Sequence, residues 1–278
     1  MSRFSNILRL LVVLAALIPP VRASAQRGSP RQSDADWLAQ CNSDRGGDYN
    51  RERFCEVRHT QLPVPGGTIT VDGLRNGGVS VIGSGRDSLI ITTRIQAQAR
   101  TMSEARDIAR QVRTVVRGST IEAEGPRNVD DSWWSANLII WAPRRSDLRL
   151  STYNGPVSVE DVSGDIELET RNGPLALRGL SGNVRARSNN GPLSIILTGS
   201  KWEGAGLDAE THNGPLSLHV PDGYSAHLEA GTNNGPMRLG FPVTVVGRIG
   251  RNISTDLGSG GTTIRAITHN GPLSIARR

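Results

Sequence analysis

The sequence predicts an all-β protein, a β-solenoid (β-helix) of about 18–23-residue coils with one α-helix inserted near its N-terminal end. Three observations carry this. The tripeptide Asn-Gly-Pro occurs six times, beginning at Asn154, Asn172, Asn190, Asn213, Asn234 and Asn270. Apolar residues alternate with polar ones on both sides of each tripeptide, which is the period of half-buried strands and not of a helix. Aromatic residues make up 4% of the 278-residue chain while glycine occurs 32 times, a balance suited to a thin, stacked core.

The spacings between successive asparagines are 18, 18, 23, 21 and 36 residues, and the last equals two periods of 18. One degenerate coil lacking the tripeptide is therefore expected near Arg251 to Gly261. A hydroxyl precedes each asparagine by two positions: Thr152, Thr170, Ser188, Thr211, Thr232 and Thr268. An apolar residue follows each proline, from Val157 and Leu175 to Leu273, and another lies two further on, from Val159 and Leu177 to Ile275. Six and four positions before each asparagine lie two more apolar series, which begin at Leu148 and Leu150. Stacking places equivalent residues above one another about 4.8 Å apart. The six asparagines then form a structural ladder, the hydroxyls a second ladder, and four apolar columns fill the core. Asn-Gly alone would signal a two-residue hairpin, but the proline that follows cannot donate to a hairpin ladder. Glycine here is read as the source of backbone freedom at the turn, with proline favouring an extended exit.

Upstream, Asn76-Gly77-Gly78-Val79-Ser80-Val81 echoes the motif with glycine in place of proline. A strand is predicted over 89–99. A helix is predicted over 103–116, where Ala105, Ile108, Ala109, Val112 and Val116 share one face. Strands follow over 119–124 and 136–141.

Residues 1–25 read as a secretory signal peptide: Arg3 and Arg9, an apolar run over 10–18, then Pro19-Pro20 and the small-residue site Ala23-Ser24-Ala25. Its removal takes away Arg3, Arg9 and Arg22 and no acids, so the formal net charge of +6 falls by three to +3. A modest and dispersed positive charge points to no nucleic-acid partner, and no later stretch is apolar enough to span a membrane. The remaining boundaries are expected at 26–66 (an N-terminal segment), 67–147 (an irregular strand-helix-strand start) and 148–278 (the Asn-Gly-Pro repeats). Cys41 and Cys55 are the two cysteines of the chain, and in an oxidising compartment such a pair reads as a structural disulfide.

The Thr-x-Asn-Gly-Pro-Leu-Ser-Ile pattern, with the strand-helix-strand block before it, resembles a widespread bacterial family of candidate adhesins, a domain of unknown function built from β-strand repeats. The resemblance covers roughly residues 67–278 and is most specific from Leu148 onward. It implies a β-helical, extracytoplasmic protein and no demonstrated activity.

No catalytic constellation, cofactor or metal site is read from the sequence. Glycoside hydrolysis needs two carboxylates at a defined separation. Asp161, Asp165, Glu167 and Glu169 are the densest acidic group, but Glu167 and Glu169 alternate with Ile166 and Leu168 as a solvated strand face does. His212 and His269 share one repeat position but would sit on coils that are not adjacent, which disfavours metal ligation. Trp133 and Trp134 form the candidate binding surface. The preferred reading is that, with Trp141, they pack between the helix and the first coils and supply aromatic core at the irregular end.

The function expected is that of an exported, non-enzymatic repeat protein with an adhesin-like binding or structural role in the cell envelope. It would act in the periplasm, on the outer surface or as a secreted protein, with envelope polysaccharide or protein as partner. The alternatives are a polysaccharide-active β-helix enzyme and a scaffold that self-associates through solenoid ends, since the last repeat finishes only a few residues from the C-terminus.

Overall fold

The computed structural model describes residues 30–43, 51–129, 131–241 and 251–278. The expected signal peptide lies outside the described residues. Ser33–Arg278 form one compact unit, to which all that follows refers.

Along the chain, helix α1 (Asp34–Ser43) is followed by strands β1 (Glu52–Pro63), β2 (Ile69–Asp72), β3 (Val79–Ser84) and β4 (Ser88–Ala99). Helix α2 (Met102–Gln111) precedes β5 (Arg113–Arg117), β6 (Thr120–Glu124) and β7 (Trp133–Pro143). The repeat region then supplies β8 (Leu148–Thr152), β9 (Val157–Glu160), β10 (Ser163–Thr170), β11 (Leu175–Arg178), β12 (Ser181–Asn190) and β13 (Leu193–Ile196). It continues with β14 (Gly206–Asn213), β15 (Leu216–Val220), β16 (Ala226–Asn234) and β17 (Met237–Leu239). The chain closes with β18 (Asn252–Leu257), β19 (Thr263–Asn270) and β20 (Leu273–Arg277).

These strands form two ten-stranded sheets. The first runs β1-β4-β7-β3-β9-β11-β13-β15-β20-β17 and the second β18-β16-β19-β14-β12-β10-β8-β2-β6-β5. The expected β-solenoid with a single inserted helix is corrected on three counts. Both sheets are mixed: β1 with β4, β4 with β7, β5 with β6 and β16 with β18 pair antiparallel. There are two helices among the described residues. The strands also do not follow chain order, because β19 lies between β14 and β16, and β20 between β15 and β17. The segment expected as a degenerate coil returns as β18, antiparallel to β16. The last Asn-Gly-Pro unit is therefore interior, and an exposed C-terminal repeat is no longer available as a basis for self-association.

Pairing between repeats nonetheless keeps equivalent residues side by side. Leu175 pairs with Val157 and Leu193, and Leu168 with Leu150 and Ala186. Val157, Leu175, Leu193, Leu216 and Leu273 from one sheet face Leu148, Ile166, Val184, Leu207 and Ile264 from the other in a continuous core. Each large side chain of this kind contributes about 1.5–3 kcal/mol when fully buried.

The turns explain the tripeptide. Asn172 Nδ2 donates to Asn154 Oδ1 and Asn190 Nδ2 to Asn172 Oδ1. The chain of bonds continues through Asn213, Asn270 and Asn234, and reaches back from Asn154 to Asn76, all at 2.8–3.2 Å. The hydroxyls do not bond to one another. Each donates to a glycine carbonyl of the neighbouring repeat: Thr152 to Gly77, Thr170 to Gly155, Ser188 to Gly173, Thr211 to Gly191, Thr268 to Gly214 and Thr232 to Gly271. These six hydroxyl residues are buried, and each provides a donor to the carbonyl it meets. The glycines are required by space and not by a left-handed backbone. A Cβ at Gly155, Gly173, Gly191, Gly214, Gly235 or Gly271 would lie 2.0–2.2 Å from the neighbouring glycine's carbonyl oxygen.

At the N-terminal end α2 packs against β1 and β4. It closes a second core of Ile95, Ala97, Ala109, Val112, Ala123 and Ala136, with Phe54, Ile108 and Trp134 at its margin. Thr101 caps the helix by accepting from the Glu104 N–H. The helix expected to reach residue 116 stops at Gln111, because Thr114, Val115 and Val116 are β-branched and enter β5. Its last carbonyls, Ala109 and Val112, accept from the Arg58 guanidinium, which Glu56 holds in place. On the other face of β1, Trp37 and Cys41 of α1 pack with Cys55, and the Cys41–Cys55 disulfide is formed. Asp34 of α1 bonds to the buried Arg94 at 3.1 Å.

The glycine clash predicts that Gly173→Ala lowers the melting temperature far more than Asn172→Ala, whose cost is about 1–3 kcal/mol for lost amide bonds. Equal losses in thermal unfolding would refute the close-approach account. Reduction of Cys41–Cys55, which closes a loop of sequence separation 14, removes about 3 kcal/mol of stabilisation in the chain-entropy model. A ten-residue helix that buries only two side chains should then lose amide protection in hydrogen exchange, while β8 to β15 keep theirs.

Candidate functional site

Trp133 and Trp134 do not form one surface. Successive residues of a strand point to opposite faces, and on β7 the even-numbered Trp134, Ala136, Leu138 and Ile140 face the cores. Trp133 and Trp141 lie on the other face, both half-buried. The two aromatic readings are thus divided between neighbours: Trp134 packs at the margin of the second core, and it also lines a cleft.

That cleft has a volume of about 720 Å³ and lies between α2, the β5–β6 hairpin and Trp134. Leu74, Pro126 and Trp134 supply its apolar lining; Arg110, Gln111 and Arg113 supply the polar one, beside Glu122 and Glu124. Trp134 is firmly held. Its Nε1 donates to the Pro126 carbonyl at 2.6 Å, and Asn128 grips its backbone, accepting from the N–H at 2.9 Å and donating to the carbonyl at 3.3 Å. Gly125 sits so close that a Cβ there would lie 2.7 Å from the indole. Leu74, also on the wall, has φ +55°, a left-handed conformation that bulky residues avoid. The Asp72 carboxylate holds its N–H at 2.8 Å and Tyr153 donates to its carbonyl at 2.9 Å. Both glutamates pair with Arg117, and its hydrogen bond to Glu124 is the main reason the Arg117 guanidinium sits above its ordinary pKa. Arg113 has no ion pair among the described residues. Neither the cleft nor Leu74 was legible in the sequence. The one available signal was the cluster Gly125-Pro126-Arg127-Asn128 ahead of the tryptophans.

The outward face of the second sheet carries an ordered charge column. Arg149, Glu167, Arg185, Asp208, Arg265 and Glu229 lie side by side on six neighbouring strands and alternate in sign. Glu167, one of the acids weighed as catalytic, pairs with Arg149 at 2.8 Å. Asp165 and Glu169 are exposed on the same strand, and Asp161 lies in a turn with φ +56°. Asp208 and Glu210 are more enclosed. Burial alone would raise the Asp208 carboxyl, but hydrogen bonds from Arg187 and Arg265 outweigh it and hold the group below its ordinary value of 3.8. Burial opposes the same net lowering at Glu210, where hydrogen bonds from His269 and Arg265 outweigh it.

His212 and His269 are adjacent, contrary to expectation, with ring centroids 5.2 Å apart, because β19 pairs with β14. His269 bonds through Nε2 to Glu210 at 2.6 Å and through Nδ1 to the Asn233 amide at 2.9 Å. Among the described residues no group of three or more His, Cys, Asp or Glu side chains could hold a metal ion.

One constellation was missed. On the antiparallel pair β16–β18, His227 Nδ1 lies 2.7 Å from Asp256 Oδ1 and its Nε2 lies 3.0 Å from Ser254 Oγ. This is the connectivity of an acyl-transfer triad. Its setting differs, since Ser254 stands exposed on a strand face and the Asp256 side chain is 65% exposed. Glu229 also approaches the same Nε2 at 3.9 Å, and its negative charge would oppose a developing oxyanion. The cluster acts as cross-strand polar pairing.

No family model matches the chain, and no curated protein matches it. Solved structures do. A candidate cell adhesion protein of Clostridium sporogenes is 10% identical with TM-score 0.45, the match covering 81% of this chain and 100% of the other. A candidate adhesin of Bacteroides fragilis is 10% identical with TM-score 0.35, covering 80% and 97%. A candidate lipid-binding protein of Parabacteroides distasonis is 8% identical with TM-score 0.31, covering 80% and 96%. Two of these names agree with the adhesin-type family that the sequence resembles, although the Asn-Gly-Pro tripeptide is no part of that agreement. With every TM-score below 0.5, none of these likenesses carries a fold or a function over to this chain.

The ion pairs set a direction for acid unfolding. Carboxyls held below their ordinary pKa stabilise the fold above that value, and the contribution is lost as the pH falls through it. Arg265 serves both Asp208 and Glu210, so Arg265→Met should lower the melting temperature at neutral pH. It should also flatten the acid limb below about pH 4.5, where unfolded carboxyls protonate. An unchanged acid limb in pH-resolved thermal melts would remove this assignment.

Proposed function

We propose that this is an exported, non-enzymatic protein whose β-sheet surface binds partners or does structural work in the cell envelope, in the manner of an adhesin. The observation that carries the reading is the commitment of the partly enclosed Asp208 and Glu210 carboxylates to cations. A glycosidase needs one carboxyl raised above its ordinary pKa to act as general acid, opposite a second at a defined distance. Asp208 and Glu210 are lowered instead, held by Arg187, Arg265 and His269. Ion pairs of this kind favour a stiff, pre-organised face over proton transfer.

The disulfide supports an oxidising compartment, in keeping with the leader expected over residues 1–25. No helix among the described residues is long and apolar enough to cross a membrane. The partners that suit the reading are an envelope polysaccharide or an envelope protein, since paired sheets offer long contact surfaces. Residues 26–66 act as an N-terminal segment pinned by the disulfide, 67–147 as the part that shapes the cleft, and 148–278 as the repeating platform.

The test is a binding screen of the chain without its leader against purified envelope polysaccharides, peptidoglycan and whole cells, with product release followed in the same wells. Saturable binding without turnover is the expected result. Release of sugar products, abolished by Glu167→Gln or Glu210→Gln, would overturn it.

A further inference from the structure

We infer that the cleft between α2, the β5–β6 hairpin and Trp134 is a binding site for an acidic saccharide, a pyranose that carries a carboxylate. The inference rests on the binding reading above and names a site and a ligand class for it. The cleft falls within the ~300–1,000 Å³ range of small-ligand sites, and its two linings differ in chemistry. Trp134, Leu74 and Pro126 present apolar surface suited to the C–H face of a sugar ring, while Arg110, Gln111 and Arg113 present donors.

The charge balance selects an acidic ligand over a neutral one. Glu122 and Glu124 line the cleft but are paired with Arg117, and Arg110 is paired with Asp107 at 3.2 Å. Arg113 lines the same cleft with no ion pair among the described residues. An arginine with its fork unoccupied fits a carboxylate in two parallel hydrogen bonds, a geometry that a hydroxyl cannot match.

The aromatic wall is pre-organised. Pro126 and Asn128 fix Trp134 from three directions, and Gly125 leaves room for the indole that no other residue would leave. Leu74 keeps its strained left-handed backbone at this wall. Strain held in place by neighbouring bonds is found where geometry matters for binding. The ring therefore meets a ligand with little ordering left to do, which favours affinity. Trp134 is only half-buried and lines the cleft.

The test is a titration of the leaderless chain with oligogalacturonides and, in parallel, with neutral cello-oligosaccharides, followed by tryptophan fluorescence and calorimetry. Saturable binding of the acidic oligosaccharide is expected, weakened about tenfold by Arg113→Gln as for loss of a charge-assisted pair. The neutral oligosaccharide should bind more weakly and be indifferent to that change. Trp134→Tyr, which keeps an aromatic ring beside the second core, should weaken both sugars, and thermal melts check that each variant is folded. No binding of oligogalacturonide, equal binding of the two sugars, or an Arg113→Gln variant with unchanged affinity would overturn the inference. Wild-type adhesion to envelope fractions that survives Arg113→Gln, with no acidic-sugar binding, overturns this site and leaves the binding reading standing. Acidic-sugar binding lost in Arg113→Gln, with no adhesion to any envelope fraction, supports this site and removes the envelope role.

Discussion

The close approach of one glycine carbonyl to the next glycine is the constraint on which the repeat region depends. At the six Asn-Gly-Pro turns the backbone of each repeat comes so near its neighbour that a Cβ has no place. A buried hydroxyl two residues before the asparagine donates to that glycine carbonyl. The asparagine amides then link the turns on the exposed side. Four residue types are thus tied to one contact: glycine by space, the hydroxyl by the glycine carbonyl, asparagine by its paired donor and acceptor, and proline by an extended exit with no N–H to satisfy. With this spacing set, the apolar positions on either side fall into register and the core between the sheets fills.

The order of the strands answers to a different force. In chain order, β16 would lie beside β14 and place Glu229 opposite Asp208, and like charges directly opposite destabilise a sheet. Inserting β19 sets Arg265 between them and restores alternation. The same insertion brings His269 beside His212 and within reach of Glu210. Because all repeats offer nearly the same turn and core chemistry, the outward-facing charges are what distinguish one neighbour from another. The antiparallel β18 then pairs with β16 and itself forms one edge of the second sheet.

The N-terminal third has another character. Here β7 joins β3 in parallel and β4 and β1 follow antiparallel, and α2 packs on β1 and β4 with Ala105 and Ala109 fully buried. The join between helix, hairpin and sheet is irregular, and irregular joins leave concave space where uniform repeats leave flat faces. The molecule consequently offers two kinds of surface. On the sheet face Arg149 pairs with Glu167, and Arg187 and Arg265 pair with Asp208 and Glu210, while the cleft retains an arginine with no ion pair among the described residues, beside a fixed indole.

The amino-acid sequence by itself determined the all-β class, the residues that share each column, the turn positions and the pairing of Cys41 with Cys55. These follow from local periodicity and from equivalence between repeats, both of which are written along one dimension. It also exposed the helix near residue 105, although it placed the helix end too late because the β-branched residues after Gln111 continue an apolar pattern into a strand. Only the tertiary structure decided the order and direction of the strands, since six near-identical turns can stack in several orders and charges across strands choose among them. It alone separated Trp133 from Trp134, joined His212 to His269, and assembled the cleft from residues between Leu74 and Trp134. Those neighbours are brought together by the packing of a helix on β1 and β4, and no spacing along the chain records that distance.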